Sequence, residues 1–246
     1  MTATSAQGVH NVRERPQGIL FDLGNTLLWQ EAFDTEAGTR HVLSLAHNPR
    51  GLSVEDVGSL VRELDSDLQE RRERSWIEIS PHAVHRLVYE PFDVTFDRPF
   101  HEIELEFWRA ATRFSLTDGI IALLEELRAT GLPLGVVSNS TFSSQTLAWQ
   151  IEDSGLGSFF EFVMSSADYV VRKPHPKILL TAAARLGVAP EATWYVGDSP
   201  RYDVAGAHHA GMVSVLYRPR PKPPEDPAPQ LEVASWTELA AAVAAA

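Results

Sequence analysis

The chain has 246 residues, enough for one α/β domain with an insertion or for two modest domains, each able to bury a core. Its net charge of −12 argues against binding nucleic acid or an anionic membrane through a broad basic face. The absence of cysteine excludes disulfides, thiolate nucleophiles and thiolate metal sites. Residues 1–17 are polar, without the apolar core of a signal peptide, and no window reaches the length of a membrane span. We therefore expect a cytoplasmic protein whose first 17 residues form a disordered tail.

The first predicted strand ends at a carboxylate. Ile19–Phe21 is a short apolar run, typical of a strand covered on both faces, and Asp22 follows it directly. Ligands of open parallel sheets bind at the carboxyl ends of the strands, so an acid at this position is well placed for chemistry. Taken alone, Asp22 could equally open a turn or cap a helix.

Residues 29–115 show no repeated strand-and-turn pattern and predict a small helical domain inserted after the first strand. Apolar residues between Val54 and Leu64 recur at the spacing of one helical face. Ser53 and Asp56 resemble a capping pair at the start of that helix.

Two sets of polar side chains in this insertion invite a functional interpretation. His82 and His85 have helical i, i+3 spacing and could ligate a metal, but no third ligand matches them, so we expect a packing or surface role. Three acids alternate with apolar residues, which fits a solvated helix face: Glu102, Glu104 and Glu106.

From residue 117 onward, amphipathic helices alternate with short apolar strands. Predicted helices cover about residues 118–130, 144–154, 176–186 and 202–210, and predicted strands cover 134–137, 162–164, 193–196 and 213–217. Such alternation favours parallel pairing with right-handed crossovers. The sequence therefore predicts a three-layer α/β/α Rossmann-like core over residues 18–28 and 116–246, with the α-helical insertion of residues 29–115.

The end of the chain has a different composition. Prolines throughout residues 218–230 exclude a helix or an inner strand and predict an extended segment. Residues 231–234 suit an edge strand, and Ser235 with Glu238 forms a capping box that starts a terminal helix.

Polar side chains follow several of the predicted strands at one edge of the sheet. A carboxylate nucleophile, Asp22, beside a second acid, Asp198, would bind Mg²⁺ through oxygen ligands, as expected for phosphate substrates. Ser138 and Asn139 can donate hydrogen bonds to a phosphoryl oxygen. Lys173 would offset the negative charge and help to keep Asp22 ionised.

The motifs around these residues resemble, in order and spacing, those of the haloacid dehalogenase superfamily, in particular its phosphatase-like members with a helical cap. The matching stretches are FDLGNTL at 21–27, VVSNS at 136–140, RKPHP at 172–176 and VGDSPRYD at 196–203. The resemblance covers about residues 18–217. It implies that the inserted region is a cap that closes over the substrate and excludes water.

The resemblance also implies roles for individual residues. Asp22 would attack phosphorus and form an aspartyl-phosphate that water later hydrolyses, with Lys173 as the supporting cation. Asp22, the backbone carbonyl of Gly24 and Asp198 would hold Mg²⁺. Asp203 would support the metal or the lysine, and the phosphate would be bound by Ser138 and Asn139.

One position departs from the usual phosphatase pattern. Most phosphatases of the superfamily carry a second aspartate two residues after the nucleophile, as general acid and base, and here that position is Gly24. We expect a Mg²⁺-dependent phosphohydrolase acting on a small phosphorylated metabolite, as a monomer or homodimer without nucleic-acid or membrane partners. The alternatives are a metal-independent 2-haloacid dehalogenase, against which the retained Asp198 and Asp203 argue, and a catalytically quiet binding domain.

Overall fold

The computed structural model describes residues 14–246, which form ten strands and ten α-helices. The strands are β1 (Gly18–Phe21), β2 (Leu28–Phe33), β3 (Ala46–His47), β4 (Thr95–Phe96), β5 (Thr112–Leu116), β6 (Leu134–Ser138), β7 (Phe162–Ser165), β8 (Thr193–Gly197), β9 (Val213–Tyr217) and β10 (Leu231–Val233). The helices are α1 (Thr35–Ser44), α2 (Val54–Ser75), α3 (Pro81–Tyr89), α4 (Phe100–Ala111), α5 (Ile120–Ala129), α6 (Ser144–Asp153), α7 (Ser166–Tyr169), α8 (Pro176–Leu186), α9 (Ala205–Ala210) and α10 (Trp236–Ala245).

Six strands form one parallel sheet in the order β10-β9-β8-β1-β6-β7. Side chains alternate between its faces, so Ile19 and Phe21 of β1 pack with α5, α6 and α10, whereas Leu20 packs with α8 and α9. Both faces are therefore covered by helices, and the predicted three-layer α/β/α architecture is confirmed.

The insertion carries α1–α4 and its own apolar core, which includes Val42, Val57, Val88 and Ile103. The predicted cap at Ser53 is confirmed as a reciprocal capping box with Asp56. The sequence did not reveal two antiparallel ribbons, β2 with β5 and β3 with β4. The strands β2 and β5 each extend across one of the predicted domain boundaries, at 28/29 and 115/116. The boundaries themselves stay a prediction.

The regular second half follows the predicted elements closely. The predicted helices at 118–130, 144–154 and 176–186 and the four strands are confirmed, as are the edge strand β10 and the helix started by Ser235. The helix predicted from Tyr202 instead begins at Ala205, after a π-helical turn at Pro200–Val204.

Residues 1–13 of the predicted tail lie outside the described residues. At the end of that tail, Gln17 N donates to Ala192 O over 2.8 Å. Among residues 14–246, no helix combines the length and the apolar character needed to cross a lipid bilayer.

The two sets of polar side chains in the insertion, the histidines and the glutamates, differ in whether the structure agrees with the prediction. His82 stacks on Phe100 with a centroid distance of 4.7 Å, and His85 also packs against Phe100, which confirms a packing role. The expectation of a solvated face is wrong for Glu104, which is buried and accepts hydrogen bonds from the start of α6. The alternation of acidic and apolar residues along α4 does not reveal that another helix, α6, covers Glu104.

Candidate active site

Parallel pairing brings the motif residues to one edge of the sheet. Phe21 lies opposite Val136 of β6 and Val196 of β8, so the carboxyl ends of these three strands lie at the same edge of the sheet, within two residues of one another. Asp22 extends the pairing by donating its backbone N–H to Val196 O over 2.8 Å. Ser138 ends β6 and Asp198 follows β8, so the predicted convergence of these side chains at this edge is observed.

Lys173 is the centre of a buried hydrogen-bond network. Its Nζ donates to Asp22 Oδ1 at 2.6 Å, to Asp203 Oδ1 at 2.7 Å and to the hydroxyl of Tyr195 at 2.6 Å. Only 1% of Lys173 is exposed, so an unpaired ammonium would be costly there. The lysine therefore holds Asp22 in a fixed place.

Asp203 supports this lysine and also the loop after β8. Its Oδ2 accepts from Ser199 N at 2.9 Å, while its Oδ1 faces Lys173. A Cβ added to Gly197 would lie 2.3 Å from Cγ of Asp203, so only glycine allows this close approach. Of the two roles implied by the resemblance, contact with the lysine is the one observed.

Asn139 braces the backbone of Lys173. Its Nδ2 donates to Lys173 O at 2.9 Å, and its Oδ1 accepts from Lys173 N at 2.8 Å. The amide expected to bind phosphate is thus already engaged in fixing the loop that carries the lysine. Ser138 lies at the adjacent strand end and is buried.

Three carboxylates cluster beside the lysine. Asp22, Asp198 and Asp203 each offer an oxygen, and these oxygens lie within 4.8 Å of one another. Burial, followed by the charges of Asp22 and Asp203, raises the pKa of Asp198 to about 7. An all-oxygen donor set with uncompensated negative charge suits a hard divalent cation, so these residues fit Mg²⁺.

The ionisation of Asp22 differs from the expectation based on Lys173. Burial raises the pKa of Asp22 to about 6, although Lys173 acts in the opposite direction. Burial alone would lower the pKa of Lys173, but the charges of Asp203 and Asp22 raise it above the usual range. The lysine therefore remains charged but does not by itself return Asp22 to an ordinary pKa.

Two residues near Asp22 were not identified from the sequence. The hydroxyl of Tyr195 accepts from Lys173 and donates to Val137 O at 2.9 Å, and its pKa lies well above the usual range because it is buried beside Asp203 and Asp22. Thr26 Oγ1 lies 3.5 Å from Asp22 Oδ2. Tyr195 sits inside an apolar strand pattern that carries no signal for such a role.

A cleft of about 360 Å³ lies beside the loop that follows β6, between insertion and core. It has aromatic walls and both acidic and basic side chains, and its lining includes Gln30, Phe33, Arg72, Glu78, Phe142 and Arg172. A larger groove of about 660 Å³, between β5 and α6, is lined by none of the predicted site residues. The smaller cleft, which Asn139 also lines, is therefore the space next to the candidate site.

Comparison with known proteins agrees with this geometry. A family model for haloacid dehalogenase-like hydrolases matches residues 16–211, and the chain belongs to that family. It is 42% identical over 100 residues to the glyceraldehyde 3-phosphate phosphatase of Methanopyrus kandleri, covering 40% of this chain and 42% of that protein. It is 34% identical over 140 residues to the phosphoserine phosphatase of Thermus thermophilus, covering 56% and 55%. The chain thus spans about half the length of the curated relatives it matches, or less.

Solved structures extend the likeness over nearly the whole chain. A haloacid dehalogenase-type phosphatase from Thermococcus onnurineus aligns with a TM-score of 0.55 and 25% identity, over 90% of this chain and 95% of that one. A 2-haloacid dehalogenase from Pseudomonas syringae aligns with a TM-score of 0.58 and 24% identity, over 92% and 97%. The second comparison shows a shared fold and does not discriminate between the two chemistries.

Proposed function

We propose that this protein is a Mg²⁺-dependent phosphohydrolase that acts on a small phosphorylated metabolite through a covalent intermediate on Asp22. The observation that carries the proposal is the group of three carboxylates, Asp22, Asp198 and Asp203, within 4.8 Å and braced by Lys173. Two curated relatives named as phosphatases support the same reaction class.

In this proposal Lys173 fixes one oxygen of the nucleophile and leaves the other for attack. Nζ holds Asp22 Oδ1, so Oδ2 would form the new bond to phosphorus while the ester bond of the substrate breaks. Water would then attack the phosphorus of the aspartyl-phosphate, releasing inorganic phosphate and restoring the carboxylate. Because position 24 is glycine, the leaving oxygen takes its proton from solvent or from the substrate.

The remaining roles follow from the donor groups. Mg²⁺, held by Asp22, the Gly24 carbonyl and Asp198, would neutralise the charge that builds up on the phosphoryl oxygens. Ser138 would donate to a phosphoryl oxygen, while Asn139, whose amide oxygen holds Lys173 N, would contribute its second amide hydrogen. We further propose that residues 29–115 are a cap that closes the cleft and excludes water.

The alternative is a metal-free 2-haloacid dehalogenase, in which Asp22 displaces halide from carbon. Gly24 and the fold shared with a 2-haloacid dehalogenase are compatible with that reaction. A metal-free mechanism gives no reason to crowd two further carboxylates against the nucleophile, and for that reason we favour the phosphohydrolase.

The test is phosphate release from a panel of phosphorylated metabolites with and without Mg²⁺, beside halide release from 2-haloacids with divalent metals chelated. We expect Mg²⁺-dependent phosphate release that Asp198→Asn abolishes and that Asp153→Asn, an exposed acid on α6, leaves unchanged. Halide release without metal would refute the proposal, and phosphate release unaffected by chelation would refute its metal requirement.

A further inference from the structure

A segment of the insertion pairs directly with the chain that leads into Lys173. Ile77 and Val171 form an antiparallel bridge. Glu78 N donates to Val170 O at 2.7 Å, and Arg172 N donates to Trp76 O at 2.9 Å. The insertion is thus attached to the core at residues 76–78, far along the chain from the β2–β5 ribbon.

Both sides of this bridge contain a left-handed residue that is not glycine. Trp76 has φ 54° and Val170 has φ 64°. For a β-branched residue such as valine this conformation is a clear outlier, and such strain persists only where the surroundings enforce it, often at functional sites. The bridge is reinforced beside it by an ion pair between Arg201 and Glu73 and by edge-on packing of Trp76 against Tyr202.

The carboxylate of Glu78 lies at the centre of the attachment. It is 3% exposed, and its Oε1 accepts from Arg72 Nε of α2 at 3.0 Å. Its Oε2 lies 3.4 Å from Nη1 of Arg172 and accepts from Ser166 Oγ at 3.2 Å. Ser166 Oγ in turn accepts from Ser140 N at 3.0 Å.

Glu78 therefore joins three segments that meet near the nucleophile. Arg172 immediately precedes Lys173, and Ser140 immediately follows Asn139, the residue that brackets the lysine backbone. Glu78 itself reaches neither Asp22 nor Lys173 among its hydrogen bonds within residues 14–246. Because Glu78 also lines the cleft next to the site, an effect through the two loops is distinguished from direct contact with the substrate by a KM that stays near the wild-type value.

From this geometry we propose that Glu78 is a positioning residue, which couples the insertion to the reacting groups by fixing the loops that carry Lys173 and Asn139. The inference rests on the proposed function of the same site. Removing the carboxylate takes from the guanidinium of Arg172 the acid that it pairs with, and Nε of that side chain is already buried without a hydrogen bond to any of residues 14–246. The loop is then free to shift, and Lys173 shifts with it.

Glu104 provides a matched control. It is also a carboxylate of the insertion, 5% exposed, that bonds to the core, accepting from Ser143 N at 2.9 Å and from Thr146 Oγ1 at 2.9 Å. Its contacts are with Ser143, at the end of the loop that carries Asn139, and with Thr146 of α6, and not with the loop of Lys173. A general loosening of the insertion affects both glutamates alike, whereas the proposed role belongs to Glu78 alone.

The experiment compares Glu78→Ala and Glu78→Gln with Glu104→Ala and Glu104→Gln in the full chain. Kinetics of phosphate release are combined with hydrogen–deuterium exchange of the peptide covering residues 166–176. A displacement of about 1 Å at reacting groups can cost on the order of 100-fold, so we expect Glu78→Ala to lower kcat by about 10–100-fold with KM near the wild-type value. Glu78→Gln should lose less, and the peptide covering residues 166–176 should exchange faster in the Glu78 variants only.

Equal losses of kcat in the Glu78 and Glu104 variants, or wild-type kcat in Glu78→Ala, would overturn the inference. Should Glu78→Ala fail to fold, Glu78→Gln decides, because wild-type kcat in that variant is equally incompatible with it. If the wild-type protein releases no phosphate, the proposed function fails by itself. The role of Glu78 is then decided by hydrogen–deuterium exchange: unchanged exchange of the peptide covering residues 166–176 overturns it, and faster exchange confined to the Glu78 variants supports it.

Discussion

The effect of having glycine at position 24, two residues after the proposed nucleophile Asp22, can be tested by introducing an acidic side chain there. A Cβ built on Gly24 meets no atom within 4 Å, and its backbone is not left-handed, so neither packing nor conformation requires glycine there. Gly24→Asp therefore avoids the overpacking cost of about 1–3 kcal/mol that small-to-large changes usually incur. A general acid contributes about 10²–10⁴-fold, equivalent to about 3–5 kcal/mol of barrier.

We therefore expect Gly24→Asp to raise kcat for phosphate release in the presence of Mg²⁺. The gain should approach the upper part of that range with an alkyl phosphate, whose leaving oxygen needs a proton, and should be small with p-nitrophenyl phosphate, whose leaving group is stable as an anion. Gly24→Asn is the matched control, because it has nearly the same shape and supplies no acid. Thermal unfolding of both variants checks that the fold is retained.

Two results would contradict this reasoning. Equal kcat in Gly24→Asp and wild type with the alkyl phosphate would mean that protonation of the leaving group does not limit the rate, or that residue 24 does not reach it. An equal gain in Gly24→Asn would mean that the side chain acts by its bulk or polarity rather than as an acid.

Three further perturbations test other parts of the structure. Lys173→Met should lower kcat by at least about 100-fold and destabilise the fold by about 3–5 kcal/mol, since it breaks a buried ion pair, whereas Lys177→Met on the exposed side of α8 should change neither kcat nor the urea midpoint. The pKa values of Asp22 and Asp198 are raised to about 6 and about 7, so in the metal-free protein their contribution to stability is present at low pH and lost as the pH rises through these values. The increase in melting temperature on adding Mg²⁺ should therefore be larger at pH 8 than at pH 5, and an equal increase would argue against these ligands. Glu104→Ala should lower the free energy of unfolding by about 1–3 kcal/mol, because it leaves buried donors unpaired, and a wild-type urea midpoint would contradict this.

The regular part of the fold could be predicted because local rules and tertiary packing agree there. Pro176 and Gly187 mark the two ends of α8 by their backbone preferences, and the structure has these ends. The turn at Pro200–Val204 was not predicted. Asp203, within this turn, accepts hydrogen bonds from Lys173 and Ser199, and the bond to Lys173 joins residues that are distant in sequence, so a local pattern does not reveal it.

The insertion was harder to predict because its contacts are distant in sequence. The strands β2 and β5 pair across residues 34–111, so each stabilises a partner that a short window of sequence cannot include. Glu104 has the spacing of a surface acid, yet α6 covers it and turns it into a buried hydrogen-bond acceptor. Periodicity describes one element at a time, and burial depends on what packs against it.

The sequence by itself determined the α/β class, the positions of the core strands along the chain and the identity of the acids at their carboxyl ends. These features depend on apolar runs, turn residues and the parallel pairing that such alternation favours. Only the tertiary structure decided which charged groups contact one another. Lys173 lies between Asp22 and Asp203 and also donates to Tyr195. Glu78 of the insertion contacts Ser166 near the same site. The physical reason is that hydrogen bonds and buried charges act over a few ångströms, and the chain brings these groups together only after it has folded.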